Sequence, residues 1–385
     1  MHWIKFCVLW ALLGAMGCGD NSDTDPVTNE QSDATDPSSD DESSDPSSDA
    51  SDPSSSNTGD DSERCTQIQG SIAAAGFSDS VAVRCDNEFA YLGADTYPAH
   101  DLMNGIVGTN EQVPAPAPDF EGPIRLNPAM ASSVTTRDSA LGIAVNGVPI
   151  YDYTAGGEIQ MDSEGNSDYS SNQDTTLLGQ LDNCGGHAGK GDDYHYHKSP
   201  DCMIDMMPNK NDNPIIGWAY DGYPIYGNDN PDGSSVSGSD LDPCNGQSDD
   251  TYGHRYHTSD SQPYILKCLK GEVNEQDLPR VGTSRMGGAP IDATELSYTA
   301  TANSSGTETR RLSYTFQSVD YYIQYSTRTD STRCFDVESK MCNASNGPGG
   351  GSCNELVQDD CYCREMPAGT SAPSGCQTRG GGPPN

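Results

Sequence analysis

Three of the chain's seven histidines, His187, His195 and His197, fall within eleven residues, bracketed by Cys184 and Cys202. If 194–197 is extended, alternate side chains share a face. His195 and His197 then project together, with Tyr194 and Tyr196 on the opposite side. A His-x-His pair on a strand presents two imidazoles to one ion. His187 lies across a turn-prone stretch containing Gly189 and Gly191 and is placed to fold back as a third ligand. Three neutral imidazoles suit zinc or copper. With water in a fourth position they have the composition of a catalytic zinc site. Asp192, Asp193, Tyr194 and Tyr196 flank them as groups that could orient ligands or move protons. Two other readings stand beside this one. One is a non-catalytic protein that binds a metal or a surface ligand. The other is a structural role in which the imidazoles hydrogen-bond within tight loops.

The elements that must position these residues recur. Residues 141–151, Leu-Gly-Ile-Ala-Val-Asn-Gly-Val-Pro-Ile-Tyr, reappear at 216–226 as Ile-Gly-Trp-Ala-Tyr-Asp-Gly-Tyr-Pro-Ile-Tyr. Each reads as strand, turn, strand, with Asn146-Gly147 or Asp221-Gly222 as a two-residue hairpin turn. Cys184 to His197 spans the same number of steps as Cys244 to His257. The half repeats run over about 141–202 and 216–268. This predicts a pseudo-twofold domain with the two histidine segments near each other. In the second copy Gln247 stands for His187 and Arg255 for His195, while His257 matches His197 and His254 aligns with Tyr194. His257 is therefore a candidate fourth ligand across the pseudo-dyad, and His100, from the Tyr97-Pro98-Ala99-His100 stretch, is a further one.

Helical periodicity is nearly absent from the rest. Short runs rich in Tyr, Val and Ile, such as 81–85, 89–92, 311–316 and 321–325, alternate with Gly, Asn, Asp and Pro. The expected fold is mainly β: an internally duplicated, β-sandwich-like domain with long loops and a small Cys-rich tail. Nineteen Tyr against six Phe imply core aromatics whose polar tips find partners.

The N-terminus reads as an address. Residues 1–18 combine Lys5, an apolar run and small residues before Cys18, the pattern of a lipoprotein signal with Cys18 as the lipidated residue. Residues 19–63 form a Ser/Asp/Pro tract with fifteen acids and no Lys or Arg, expected to be a disordered tether. The expected address is the cell envelope, with the chain exported and lipid-anchored to a membrane. The net charge of −38 argues against nucleic acid as a partner. Acidic loops at 162–168 and 228–233 carry oxygen ligands that suit calcium. Solvated acidic loops are the simpler account, since neither completes a calcium-loop pattern.

Fourteen cysteines in an exported chain imply disulfides. Setting Cys7 and Cys18 aside leaves twelve. The local, loop-bracketing pairs are Cys65 with Cys85, Cys184 with Cys202 and Cys244 with Cys268, the last two equivalent under the repeat. The remaining six crowd into 334–376.

The paired segments resemble the YHYH domain family of bacterial exported proteins. The residues that carry this are 141–151, Cys184-Gly185-Gly186-His187, Tyr194-His195-Tyr196-His197, 217–226, Cys244-Asn245-Gly246 and 263–268. The resemblance spans about residues 75–330. It implies a domain at 64–330 with a separate tail at 331–385, and implies no particular reaction.

Overall fold

The computed structural model describes residues 58–100, 102–106, 120–188, 193–280, 293–331, 333–344, 353–363 and 369–378. The signal at 1–18, Cys18, the tract as far as residue 57 and Asp192 lie outside these. The first described element is a helix, α1 (Thr58–Ala74), which strand-and-turn reading of the sequence did not anticipate. Its apolar stripe is thin. Ile68, Ile72 and Ala75, at i, i+4 and i+7, are buried, and Cys65 is tied to Cys85. The helix begins inside the stretch expected to be tether, so the ordered chain starts before residue 64. Ser71 accepts a hydrogen bond from the Trp218 indole at 3.0 Å, which seats α1 on the central sheet.

Strands β1 (Ala82–Cys85), β2 (Phe89–Ala94) and β3 (Phe120–Arg125) form an antiparallel sheet. β4 (Met130–Thr135) follows. Next come β5 (Gly142–Ala144), β6 (Pro149–Ile150), β7 (Gly186–His187) and β8 (His195–Tyr196), then helix α2 (Asp201–Met206). β9 (Ile215–Ala219), β10 (Pro224–Tyr226), β11 (Gly246–Asp249) and β12 (Gly253–His257) complete the second set, and β13 (Leu269–Gly271) pairs with β4. The eight strands β5–β12 make one sheet in the order β11-β12-β10-β9-β5-β6-β8-β7, which presents the same scheme from either edge. β6 lies parallel to β8 with Ile150 opposite Tyr196, and β10 lies parallel to β12 with Ile225 opposite Tyr256.

The two sets meet edge to edge at β5 and β9, where Gly142 faces Ala219, Ile143 faces Trp218 and Ala144 faces Gly217. The approach is close. A Cβ on Gly142 would stand 2.8 Å from the Trp218 carbonyl oxygen, and one on Gly217 would stand 2.9 Å from that of Ile143. This arrangement overturns the expectation that the histidine segments adjoin. β8 and β12 are five strand spacings apart, about 24 Å at ~4.8 Å each.

The hairpin turns also differ from the two-residue form. Gly147 donates to Ala144 O at 2.8 Å and Ala144 to Val148 O at 2.9 Å. Only Gly147, at φ +81°, is left-handed in that turn. This is a three-residue loop closed by a glycine bulge. Ala219, Gly222 and Tyr223 repeat it.

A second antiparallel sheet runs in sequence order through β14 (Thr294–Ala302), β15 (Glu308–Phe316), β16 (Val319–Thr327), β17 (Cys334–Ala344) and β18 (Cys353–Cys363), with β19 (Cys376–Thr378) parallel at its edge. β15 alternates buried and half-buried residues. Leu312, Tyr314, Phe316, Ile323, Tyr325, Phe335 and Val337 form a core of their own. Disulfides join Cys334 to Cys363, Cys342 to Cys353 and Cys361 to Cys376. The expected boundary at 330/331 therefore falls inside one sheet, because Tyr322 pairs with Lys340 and Tyr325 with Val337. The Cys-rich segment is the second half of this sheet and not a separate tail. Leu296 and Tyr298 pack against both cores.

A fragment ending at residue 330 loses β17–β19 and uncovers Ile323 and Tyr325. Residues 56–330 should aggregate and bind a hydrophobic dye, as followed by dye fluorescence and gel filtration, whereas the full chain should not. A monomeric fragment without dye binding would show that β14–β16 are self-sufficient.

Candidate metal centre

The edge hairpin β7–β8 is built on one buried carboxylate. Asp182 Oδ1 accepts the Cys184 amide at 2.9 Å and the Gly186 amide at 3.2 Å, while Oδ2 accepts the Met103 amide at 2.9 Å and the Tyr194 hydroxyl at 2.8 Å. The Cys184–Cys202 disulfide closes the outside. The glycines of the Cys-Gly-Gly-His run have steric causes. A Cβ on Gly185 would meet the Ser199 carbonyl at 2.6 Å, and one on Gly186 would meet the Tyr194 ring at 2.6 Å. With that space open, His187 pairs directly opposite His195, and His197 follows on the same face.

The three imidazoles converge. Each offers a ring nitrogen, and all three nitrogens lie within 4.8 Å of one another. Ring centroids are 4.8, 4.8 and 4.9 Å apart. The Nε2 atoms of His187 and His197 are 3.0 Å apart. Two nitrogens bound tetrahedrally at ~2.05 Å would stand about 3.3 Å apart. His195 Nδ1–H donates to the Asp193 carbonyl at 2.7 Å, and His197 Nδ1–H to the Asp152 carbonyl. A carbonyl only accepts, so both rings are fixed with Nε2 as a lone pair. That is the tautomer that ligates, oriented from behind by a backbone acceptor. The residues present thus fit zinc or copper.

All three histidines are buried. Burial, reinforced by the neighbouring imidazoles, drives His187 well below its ordinary value and His197 to about 3. Burial takes His195 to about 4, against a smaller opposing effect of its bond to the Asp193 carbonyl. They are neutral at pH 7. The Tyr151 ring lies 4.8 Å from His195 and 6.0 Å from His197.

Other candidates are elsewhere. His257 is on β12, at the far edge of the sheet, because the two sets join through β5 and β9. His100 Nε2 meets the Tyr196 hydroxyl at 2.7 Å, on the face of β8 away from His195. It also lies near Cys184 and Cys202, whose sulfurs are consumed by their disulfide. Tyr194 and Tyr196 do not adjoin the imidazoles. Tyr194 bonds Asp182, and Tyr196 takes Asn146 at 3.0 Å as well as His100, so both anchor the strand from its other side. Asp193 acts through its carbonyl. The acidic loops close on their own amides. Asp162 Oδ1 accepts from Glu164 and Asn166, and Asp232 from Ser234, and among the described residues neither loop gathers a metal-sized cluster.

Two contributors escaped sequence reading. Asp152 supplies the carbonyl behind His197, and burial pushes its own carboxyl up to about 7. Tyr151 walls the site. The repeat contained the signal for Asp152. It aligns with Gly227, whose carbonyl accepts His257 Nδ1–H at 2.9 Å.

Residues 122–237 match the family model described as YHYH protein. The match includes β5–β10 and all three converging histidines, and it ends before β11. No curated protein and no solved structure matches the chain.

The depressed histidine values set a pH dependence. The unfolded chain binds a proton on each imidazole below ~6.5, while the folded chain does not until about pH 4 or lower. Stability from these groups is complete above 6.5 and is lost as pH falls toward 4. Asp152 acts in the opposite sense across this window, because its folded carboxyl takes its proton from about pH 7 downward. In chelator-treated protein, His195→Gln should reduce the slope of unfolding free energy against pH between 4.5 and 6 by about one proton, ~1.4 kcal/mol per pH unit. Urea titrations at several pH values measure it.

Proposed function

We propose that this chain is an exported, lipid-anchored envelope protein. Its YHYH domain binds one transition metal ion, zinc or copper, through His187, His195 and His197. The observation that carries the metal reading is the convergence of three buried imidazoles, two of them held by backbone carbonyls with Nε2 directed inward. Such nitrogens are costly to bury without a partner, and a metal satisfies all three at once. Three protein ligands leave a fourth position, where a bound water would be acidified enough to act as a nucleophile. Catalysis is a step beyond binding and rests on access to that fourth position. The address rests on residues 1–18, with Cys18 as the lipid-bearing residue and the acidic tract as spacer between the membrane and the folded part. Partners other than the membrane are not implied by any feature of the site.

One observation favours a second reading. The 3.0 Å approach of His187 and His197 is also satisfied by a single proton shared between two imidazoles, making the cluster a structural hydrogen-bond network.

The readings separate in a calorimetric titration of zinc and of copper into metal-free protein purified without a histidine tag. Metal binding predicts saturation at one ion per chain and loss of at least tenfold in affinity for His195→Ala. Because the imidazoles resist protonation, binding should persist below pH 6 and fade toward pH 4. The structural reading predicts no saturable uptake and a lower melting temperature for each substitution.

A further inference from the structure

The far edge of the sheet repeats the geometry of the metal centre with different side chains. Gln247 faces Arg255 across β11–β12 in the register that His187 and His195 share across β7–β8. His257 follows two residues on, as His197 does, and its Nδ1–H is held by the Gly227 carbonyl. Asp242 takes the Cys244 and Gly246 amides at 2.8 and 2.9 Å, repeating the role of Asp182. Asn245 adopts the left-handed backbone of Gly185, with φ of +66° and +88° respectively.

Two buried acceptors are unsatisfied there. His257 is fully buried, and with Nδ1 donating to Gly227 its Nε2 is a lone pair. Neither this atom nor the buried Gln247 Oε1 has a hydrogen-bond partner among the described residues. Such a pair invites a cation. A cation lies on the same strand face, bonded to neither acceptor. Arg255 is 1% exposed, and its guanidinium binds Asp249 at 2.8 Å, Asn230 Oδ1 at 2.5 and 3.2 Å and the Gly253 carbonyl at 3.1 Å. A guanidinium stays charged at any physiological pH. In a dry site it repels a divalent ion strongly.

We propose that Arg255 keeps metal out of this edge, its buried guanidinium holding a fixed positive charge on the strand face that carries Gln247 and His257. The chain therefore takes one metal per molecule, and β11–β12 holds its shape without one. Gln247 and Arg255 are the two substitutions that separate a metal-dependent edge from a metal-independent one. The comparison rests on the proposed metal at His187, His195 and His197.

The test is the zinc stoichiometry of the full chain, by metal analysis after dialysis, for the wild type and for Gln247→His/Arg255→His. One zinc in the wild type and two in the double variant is the expected result. One zinc in each, with the variant folded by circular dichroism, overturns the proposal. No zinc in the wild type but one in the double variant would sink the reading of the first edge and leave this one standing. No zinc in either would sink both. If losing Arg255 loosens the fold, zinc should raise the variant's melting temperature, and should still do so when His195→Ala removes the first site. Absence of that second, His195-independent rise overturns the proposal as well.

Discussion

The backbone contact between β5 and β9 is the constraint on which the rest of the central sheet depends. Two carbonyls stand where side chains at Gly142 and Gly217 would be, so the halves can approach to hydrogen-bonding distance only with glycine at both positions. Joining there fixes the strand order, and the strand order places each histidine segment at an outer edge. Two half sites that would have faced each other across a different junction instead become independent. Each has its own amide-binding aspartate, its own disulfide and its own carbonyl behind the terminal histidine.

At the first edge this independence concentrates three imidazoles in one buried cluster. Burial keeps them neutral, and the carbonyls of Asp193 and Asp152 choose their tautomers. The opposite face of the same two-residue strand is given over to Tyr194 and Tyr196, whose hydroxyls are anchored by Asp182, Asn146 and His100. The alternation of Tyr and His is thus a division of labour. One face fixes the strand, and the other is free to present nitrogen ligands.

Period-two alternation made the shared face of His195 and His197 legible in the sequence, and the repeat made the hairpin and the Tyr-His strand of each half legible, but not β7 and β11, which lie in stretches that read as loop. The mainly β class followed from the strand runs and turn residues. The helix at Thr58–Ala74 was not legible, because Ile68 and Ile72, with Ala75 just beyond its end, give too weak a period beside an acidic tract. The position of His257 was not legible either. A repeat fixes the content of each half but not the edge by which the halves pair, and that depends on carbonyl-to-glycine distances no motif records. The Cys-rich segment looked separate because cysteine spacing dominates its composition. Its alternation at Phe335, Val337 and Met341 is the signal that it continues the preceding strands.

The six disulfides have an implication for how the chain matures. None spans more than 29 residues, and the C-terminal sheet is laid down strand by strand in sequence order as far as β19. Cys65 with Cys85, Cys184 with Cys202 and Cys244 with Cys268 each join cysteines consecutive in the chain, whereas Cys334 reaches past Cys342, Cys353 and Cys361 to Cys363, and Cys361 past Cys363 to Cys376. Loop closure over such short spans is fast, so each cysteine of the first three pairs meets its partner before any other described cysteine. Order along the chain and order of cross-linking thus coincide for the first three pairs, while the last three depend on the C-terminal sheet to select their partners.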